Sequence, residues 1–182
     1  SLYDGTPHSW LRQAATEEFY PDGVHREQSV AYHHFVTHLF QIGGLPQPKA
    51  LAYLGAIRQP DGSLPNVGDN DDGRASTRPL ELPAAPPGSV AFPDAGHYVI
   101  RHGGDYCFIR CGEFGPGHAH TDLMSPILWL RGEPVFVDPG TFVYNGNPEM
   151  RRYFRTAHNI LNDQAETAGT FVNCEGRMQR FN

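Results

Sequence analysis

The densest run of chemically capable residues is Gly115-Pro-Gly-His-Ala-His-Thr-Asp122. Histidine titrates near neutral pH and is a common metal ligand. In a strand, residues two apart share a face, so His118 and His120 can reach one metal or one ligand. Asp122 has the same parity and can orient an imidazole. Gly115 and Gly117 let a backbone or a substrate approach closely. A second run, Val137-Asp-Pro-Gly-Thr141, puts the carboxylate of Asp138 at the end of an apolar strand, although a plain β-turn aspartate reads the same way. A third, Arg151-Arg-Tyr-Phe-Arg-Thr-Ala-His-Asn159, offers three guanidiniums suited to an acidic ligand and one more imidazole, His158. Its plain reading is a solvated basic strand edge. Together, His120, Asp138 and His158 make a nitrogen/oxygen donor set from three separate strands, which is zinc chemistry. In the N-terminal third, Tyr32 heads an apolar stripe and reads as a core aromatic with a tethered hydroxyl. His34 and His38 lack the intervening glutamate of a helical zinc motif and read as polar-face residues.

These groups need elements to carry them. Ser9 to Phe19, Glu27 to Gln41 and Pro48 to Arg58 read as helices. The second repeats apolar residues (Tyr32, Phe35, Val36, Leu39) at helical spacing and stops at Gly43-Gly44. From Ser63 to Gly88 there is no periodicity, only Asp69-Asn-Asp-Asp-Gly73 followed by four prolines, a loop rich in Asx turns. Beyond it, Val90–Phe92, His97–Arg101, Tyr106–Arg110, Ser125–Leu130 and Pro134–Val137 are short β-branched and aromatic runs separated by Gly, Pro and Asp. Helices come first and strands second. The expected class is therefore segregated α+β, with N-terminal helices followed by an antiparallel β-sandwich. The expected division is 1–62 helical, 63–88 linker and 89–182 sandwich.

Composition narrows the function classes. Gly 20 and Pro 16 in 182 residues disfavour a helical bundle. The net charge of -6 argues against a general nucleic-acid surface. No apolar run approaches the roughly 20 residues of a membrane span. Cys107 and Cys111, four apart in a strand-like run, lie about 13 Å apart at strand rise, too far to bridge. With Cys174 they read as three reduced thiols.

In order, D-G-x-x-x-E-x-S-x-x-Y-H (from Asp22), L-P-x-x-G-D-x-D (from Leu64), G-H-x-H-x-D-x-x-S (from Gly117), D-P-G-T (from Asp138) and R-x-Y-F-R-T-x-H-N (from Arg151) resemble the heparinase II/III-like family. The resemblance runs from about Asp22 to Asn159. It implies a polysaccharide lyase with an N-terminal α/α toroid, of which residues 1–62 would be a remnant, and a C-terminal antiparallel β-sandwich. It further implies that Tyr32 is the catalytic tyrosine and His118 the catalytic histidine. His120, Asp138 and His158 would hold zinc. Tyr144, Arg152 and Arg155 would bind an acidic polysaccharide, and the protein would work in the periplasm or outside the cell. The implied reaction is β-elimination at a uronic acid.

Against the family pattern, the toroid residue that neutralises the substrate carboxylate falls roughly fifty residues before the tyrosine, and only 31 precede Tyr32. Pro126 stands where the family has a strand aromatic. The expectation is a fragment with half a catalytic cleft. Two other readings compete. One is a cupin-like metal-dependent oxygenase or isomerase: Gly112 and His118-x-His120 fit its first motif, but Met124 and Ser125 occupy its glutamate position. The other is a non-catalytic β-sandwich that binds acidic glycans through Arg151, Arg152 and Arg155.

Overall fold

In a computed structural model, residues 7–70 and 75–159 and the short strands 170–172 and 178–180 are described, apart from single positions 114, 116, 121, 142, 143, 145 and 157. Three helices come first: α1 (Pro7–Glu18), α2 (Val30–Ile42) and α3 (Pro48–Ile57). Five strands follow, β1 (Val90–Phe92), β2 (His97–His102), β3 (Asp105–Arg110), β4 (Ile127–Leu130) and β5 (Glu133–Phe136), paired in chain order as an antiparallel meander. A fourth helix, α4 (Pro148–Thr156), and a hairpin of β6 (Thr170–Val172) and β7 (Met178–Arg180) complete the described elements. The segregated α+β order expected from the sequence is the order found.

Each boundary has a local cause. The helix α2 starts at Val30 rather than at Glu27, because Gln28 takes a left-handed φ of 53° and Ser29 becomes the N-cap, its hydroxyl accepting from the Tyr32 amide. Pro48 opens α3 at a position where no amide donor is needed. Between β4 and β5, Arg131 and Gly132 both have positive φ, 56° and 82°, as a tight two-residue hairpin requires. The run around Arg152 is helix, not the basic strand edge its composition suggested. Pro148 at its start and Asn147, whose side chain accepts from the Glu149 amide, give it a defined beginning.

One core joins helices to sheet. Val99, Phe108 and Ile127 line up across β2, β3 and β4, with Tyr106 opposite Trp129. Their buried side chains share a cluster with Tyr53, Leu54 and Ile57 of α3 and with Val24 and Val30. The C-terminal carbonyls of α3, which have no partner within the helix, are met from the sheet. Tyr106 Oη donates to Ile57 O at 2.8 Å, and Arg101 Nη2 donates to Ala56 O at 2.8 Å and to Arg58 O. Trp129 Nε1 donates to Gln59 Oε1 at 2.9 Å. This clamp fixes α3, and α2 beside it, against one face of the meander.

Cys107 is a free thiol, but Cys111 is disulfide-bonded, to a partner outside the described residues. The expectation of three reduced thiols is thereby corrected. Strand spacing excludes only a Cys107–Cys111 bridge and says nothing of a bond to a residue distant in sequence.

Candidate active site

Tyr32 lies in the first turns of α2, and His118 in the loop between β3 and β4. Their rings stack, with centroids 3.8 Å apart and planes within 11°. Tyr32 Oη donates to Tyr144 Oη at 2.8 Å, and the Tyr144 ring lies 6.1 Å from that of His118. A cavity of about 390 Å³ opens beside the pair, lined by Tyr32, His118, Glu18, His25, Glu27 and an apolar wall that includes Phe35. The pair thus combines two proton-transfer groups with access to solvent-sized space; the His118 side chain is 22% exposed.

The loop carrying His118 is held by residues near the start of α2. The Gln28 side chain is buried and bonds two backbone groups of that loop. Its Nε2 donates to Glu113 O at 3.0 Å, and its Oε1 accepts from the Gly115 amide at 2.7 Å. A side chain at Gly115 would meet Arg26 O at 2.1 Å, so only glycine fits there. Asp69 completes the attachment. Its amide donates to His118 O at 2.9 Å, and its carbonyl accepts from Ser29 Oγ at 2.6 Å. Its carboxylate, fully buried, meets His118 Nδ1 at 3.1 Å with Oδ2 and His120 Nε2 at 2.8 Å with Oδ1. On the far side of His118, Glu27 Oε2 lies 3.9 Å from Nε2, beyond hydrogen-bond reach.

A second group sits behind. His158 Nδ1 bonds Asp138 Oδ2 at 3.0 Å, and the rings of His120 and His158 lie 5.5 Å apart. Burial lowers the pKa of His120, which favours the neutral form a metal ligand needs. His120 also keeps a buried Nδ1 without a hydrogen-bond partner. The donor types match zinc, and one nitrogen of each imidazole already bonds a carboxylate: His120 Nε2 with Asp69 and His158 Nδ1 with Asp138. Among the described residues, no group of three or more His, Cys, Asp or Glu is disposed to hold a metal ion.

Several expectations change with this geometry. His120, Asp138 and His158 come together from loops, not from three strands. The strand parity assigned to His118, His120 and Asp122 does not hold, because residues 117–120 form a bend followed by irregular backbone, not a strand. His118 therefore stacks on Tyr32, whereas His120 packs beside His158. They do not share one side of a strand, as a cupin motif would require. Asp122 does not orient an imidazole; its Oδ1 accepts from buried Arg110 Nη1. His38 is buried rather than on a polar face. Tyr144 joins the Tyr32–His118 pair. Arg152 lies exposed on α4, and the side chain of Arg155 lies outside the described residues. Sequence reasoning missed Asp69, Gln28 and Glu27 as site residues. Asp69 and Glu27 stand inside the motifs quoted above, but nothing in those patterns says what they touch.

Residues 84–162 match the model of a family described as Heparinase II/III-like, C-terminal. No curated protein matches the chain. Among solved structures, a heparinase III is similar at TM-score 0.65 and 21% identity, over 81% of this chain and 30% of that one. The heparan sulfate lyase HepC from Pedobacter heparinus is similar at TM-score 0.63 and 21% identity, over 81% of this chain and 31% of that one. A further heparinase III gives TM-score 0.62 at 18% identity, with 80% and 32% covered. The chain thus spans about a third of the length of these structures, and at such identities the likeness shows the fold. With the family match added, residues 84–162 of this chain are similar to the heparinase II/III-like C-terminal family.

Proposed function

We propose that the protein containing this chain is a lyase that cleaves uronic-acid-containing polysaccharide by β-elimination, with Tyr32 and His118 as its acid/base pair. The observation that carries the reading is the stack of a phenol on an imidazole beside an open cavity, in a chain with heparinase-like relatives. In β-elimination a base takes the C5 proton, the C5–H electrons form the C4=C5 double bond, and the C4–O4 bond breaks as an acid supplies a proton to O4. The two groups must reach neighbouring substrate atoms, which side-by-side rings allow. The epimer of the uronate decides which of them acts as base. Tyr144, bonded to the Tyr32 hydroxyl, holds that oxygen in place and lines the site. Arg152 and Arg155 are proposed to bind the acidic polymer, the class of substrate to which guanidinium pairs are suited.

Tyr32→Phe and His118→Ala in the complete protein test the reading. Each is expected to abolish release of unsaturated products, read by ultraviolet absorbance, from an acidic polysaccharide, while circular dichroism stays native. Full activity in both variants would remove the assignment. Binding of the polymer by the unsubstituted protein without turnover would instead support a carbohydrate-binding module.

Zinc at His120, Asp138 and His158 is a separate proposal that rests on donor chemistry. Metal analysis is expected to find zinc in the protein and to lose it in His120→Ala. A metal-free protein with full activity would end the idea. We also propose a periplasmic or extracellular setting. The disulfide at Cys111 supports it, because such bonds persist in oxidising compartments. Fractionation of cells making the complete protein reads it directly, and recovery in the cytoplasmic fraction would count against it.

A further inference from the structure

We propose that Asp69 is the positioning residue of the Tyr32–His118 pair, a role that rests on the lyase reading of those two groups. An ionised carboxylate only accepts hydrogen bonds. Facing Asp69 Oδ2 at 3.1 Å, Nδ1 of His118 must then carry the proton, which leaves Nε2 as the lone-pair nitrogen. Nε2 is the nitrogen on the Glu27 side, where the cavity lies. The second oxygen of Asp69 accepts from His120 Nε2 at 2.8 Å, so the carboxylate cannot rotate away without losing both bonds. Full burial removes competing water, which strengthens each bond and makes an unpaired carboxylate costly.

The backbone of Asp69 is as constrained as its side chain. Its amide is bonded to the carbonyl of His118 itself, and its carbonyl to Ser29 Oγ, the hydroxyl that also caps the Tyr32 amide. One residue therefore sets the ring orientation of His118 and ties the main chain of both partners together. Gly68 makes this possible. With φ 74°, any side chain there would lie 2.8 Å from Ser29 Cα and 2.9 Å from His118 O. Glu27 does not share the role, because it lies out of bonding range and is partly exposed. The segment that holds Asp69 has no periodic pattern, and its aspartates resemble an ordinary turn, so composition alone hides the function.

The test uses the complete protein with labelled histidine and has two readouts. The first is the tautomer of His118, seen by long-range proton–nitrogen correlation at about pH 8, where a free imidazole is neutral. The expected result is proton on Nδ1 in the unsubstituted protein and in Asp69→Glu, but a mixture in Asp69→Asn, whose amide can donate as well as accept. The second is turnover. Asp69→Asn is expected to lower kcat by about 100-fold or more with KM changed less than about threefold, and Asp69→Glu to recover at least tenfold of that loss. A His118 proton on Nε2 in the unsubstituted protein overturns the proposal, and this result needs no variant to fold. So does a folded Asp69→Asn that keeps both the tautomer and kcat. If the unsubstituted protein has the expected tautomer but turns over no acidic polymer, the lyase reading fails and the part Asp69 plays in orienting His118 stands.

Discussion

The two faces of the five-stranded sheet are built from the same strands yet live differently. On one, Val99, Tyr106, Phe108, Ile127 and Trp129 are covered by α3 and the start of α2. On the other, Ile100, Cys107, Leu128 and Phe136 form a row directly opposed across four strands. That row is also apolar, but Ile100 is 53% and Phe136 45% exposed. A period-2 pattern normally marks one buried face by setting it against a polar one. Here both faces are hydrophobic, and only the helices distinguish them. Apolarity of a strand position therefore does not measure its contribution to stability; the neighbour does.

The contrast can be broken by substitution. Phe108→Ala removes a fully buried ring from the helix-covered face and is expected to cost about 3–5 kcal/mol in denaturant unfolding. A loss below about 1 kcal/mol would mean that this face is not the core. A pH scan gives the next largest effect, again confined to the helical side. Burial pushes His33 down to a pKa of about 3, with its Nε2 donating to Ala50 O and its Nδ1 accepting from the His25 amide. The folded value lies below the unfolded one near 6.5, so the native state binds fewer protons in between. Stability is then complete above pH 6.5 and falls as the pH drops toward 3. Between pH 6.5 and 4.5 the loss from this one group is about 2.5 kcal/mol. His33→Gln should flatten that slope, and an unchanged slope would remove His33 as its origin.

Gln28→Ala deletes two bonds to the His118 loop and is expected to cost about 1–3 kcal/mol, because buried backbone groups lose their partners. It should also reduce turnover by the complete protein. Equal activity and stability would show that the loop is held by Asp69 alone. The smallest effect belongs to the open face. Ile100→Thr keeps a β-branched residue in β2 and is expected to change stability by less than about 0.5 kcal/mol while reducing self-association in light scattering. A loss comparable to that of Phe108→Ala would mean that the face is covered in solution.

What the sequence revealed follows the same division. The strands and helices announced themselves through spacing, and their ends through Pro48, Gly43 and the hairpin glycines. The start of α2 was misplaced because nothing about glutamine announces a left-handed φ. The helix α4 was missed because Arg151-Arg-Tyr-Phe-Arg has a charge density that reads equally as an exposed strand. Tyr32 and His118 were legible through ordered motifs and Tyr144 only through the resemblance, and the three side chains do meet. Asp69 was not, because its role is made of backbone hydrogen bonds and two imidazole contacts across 49 and 51 positions of chain. Side-chain periodicity carries no trace of such bonds. The strand parity of His118 and His120 misled for a related reason: residues 117–120 are a bend and irregular backbone, and the argument assumes a strand.

The segment 66–70 has one more consequence, in the time domain. It belongs to no helix or strand, yet Val30 N donates to Val67 O, Asp69 N to His118 O, and Asn70 N to Thr141 Oγ1. Those amides can exchange with solvent only when the helices, the His118 loop and the loop after β5 part from one another. A stretch that looks like a connection should therefore exchange as slowly as the strands it lies beside, and its opening would report the separation of the two halves of the site.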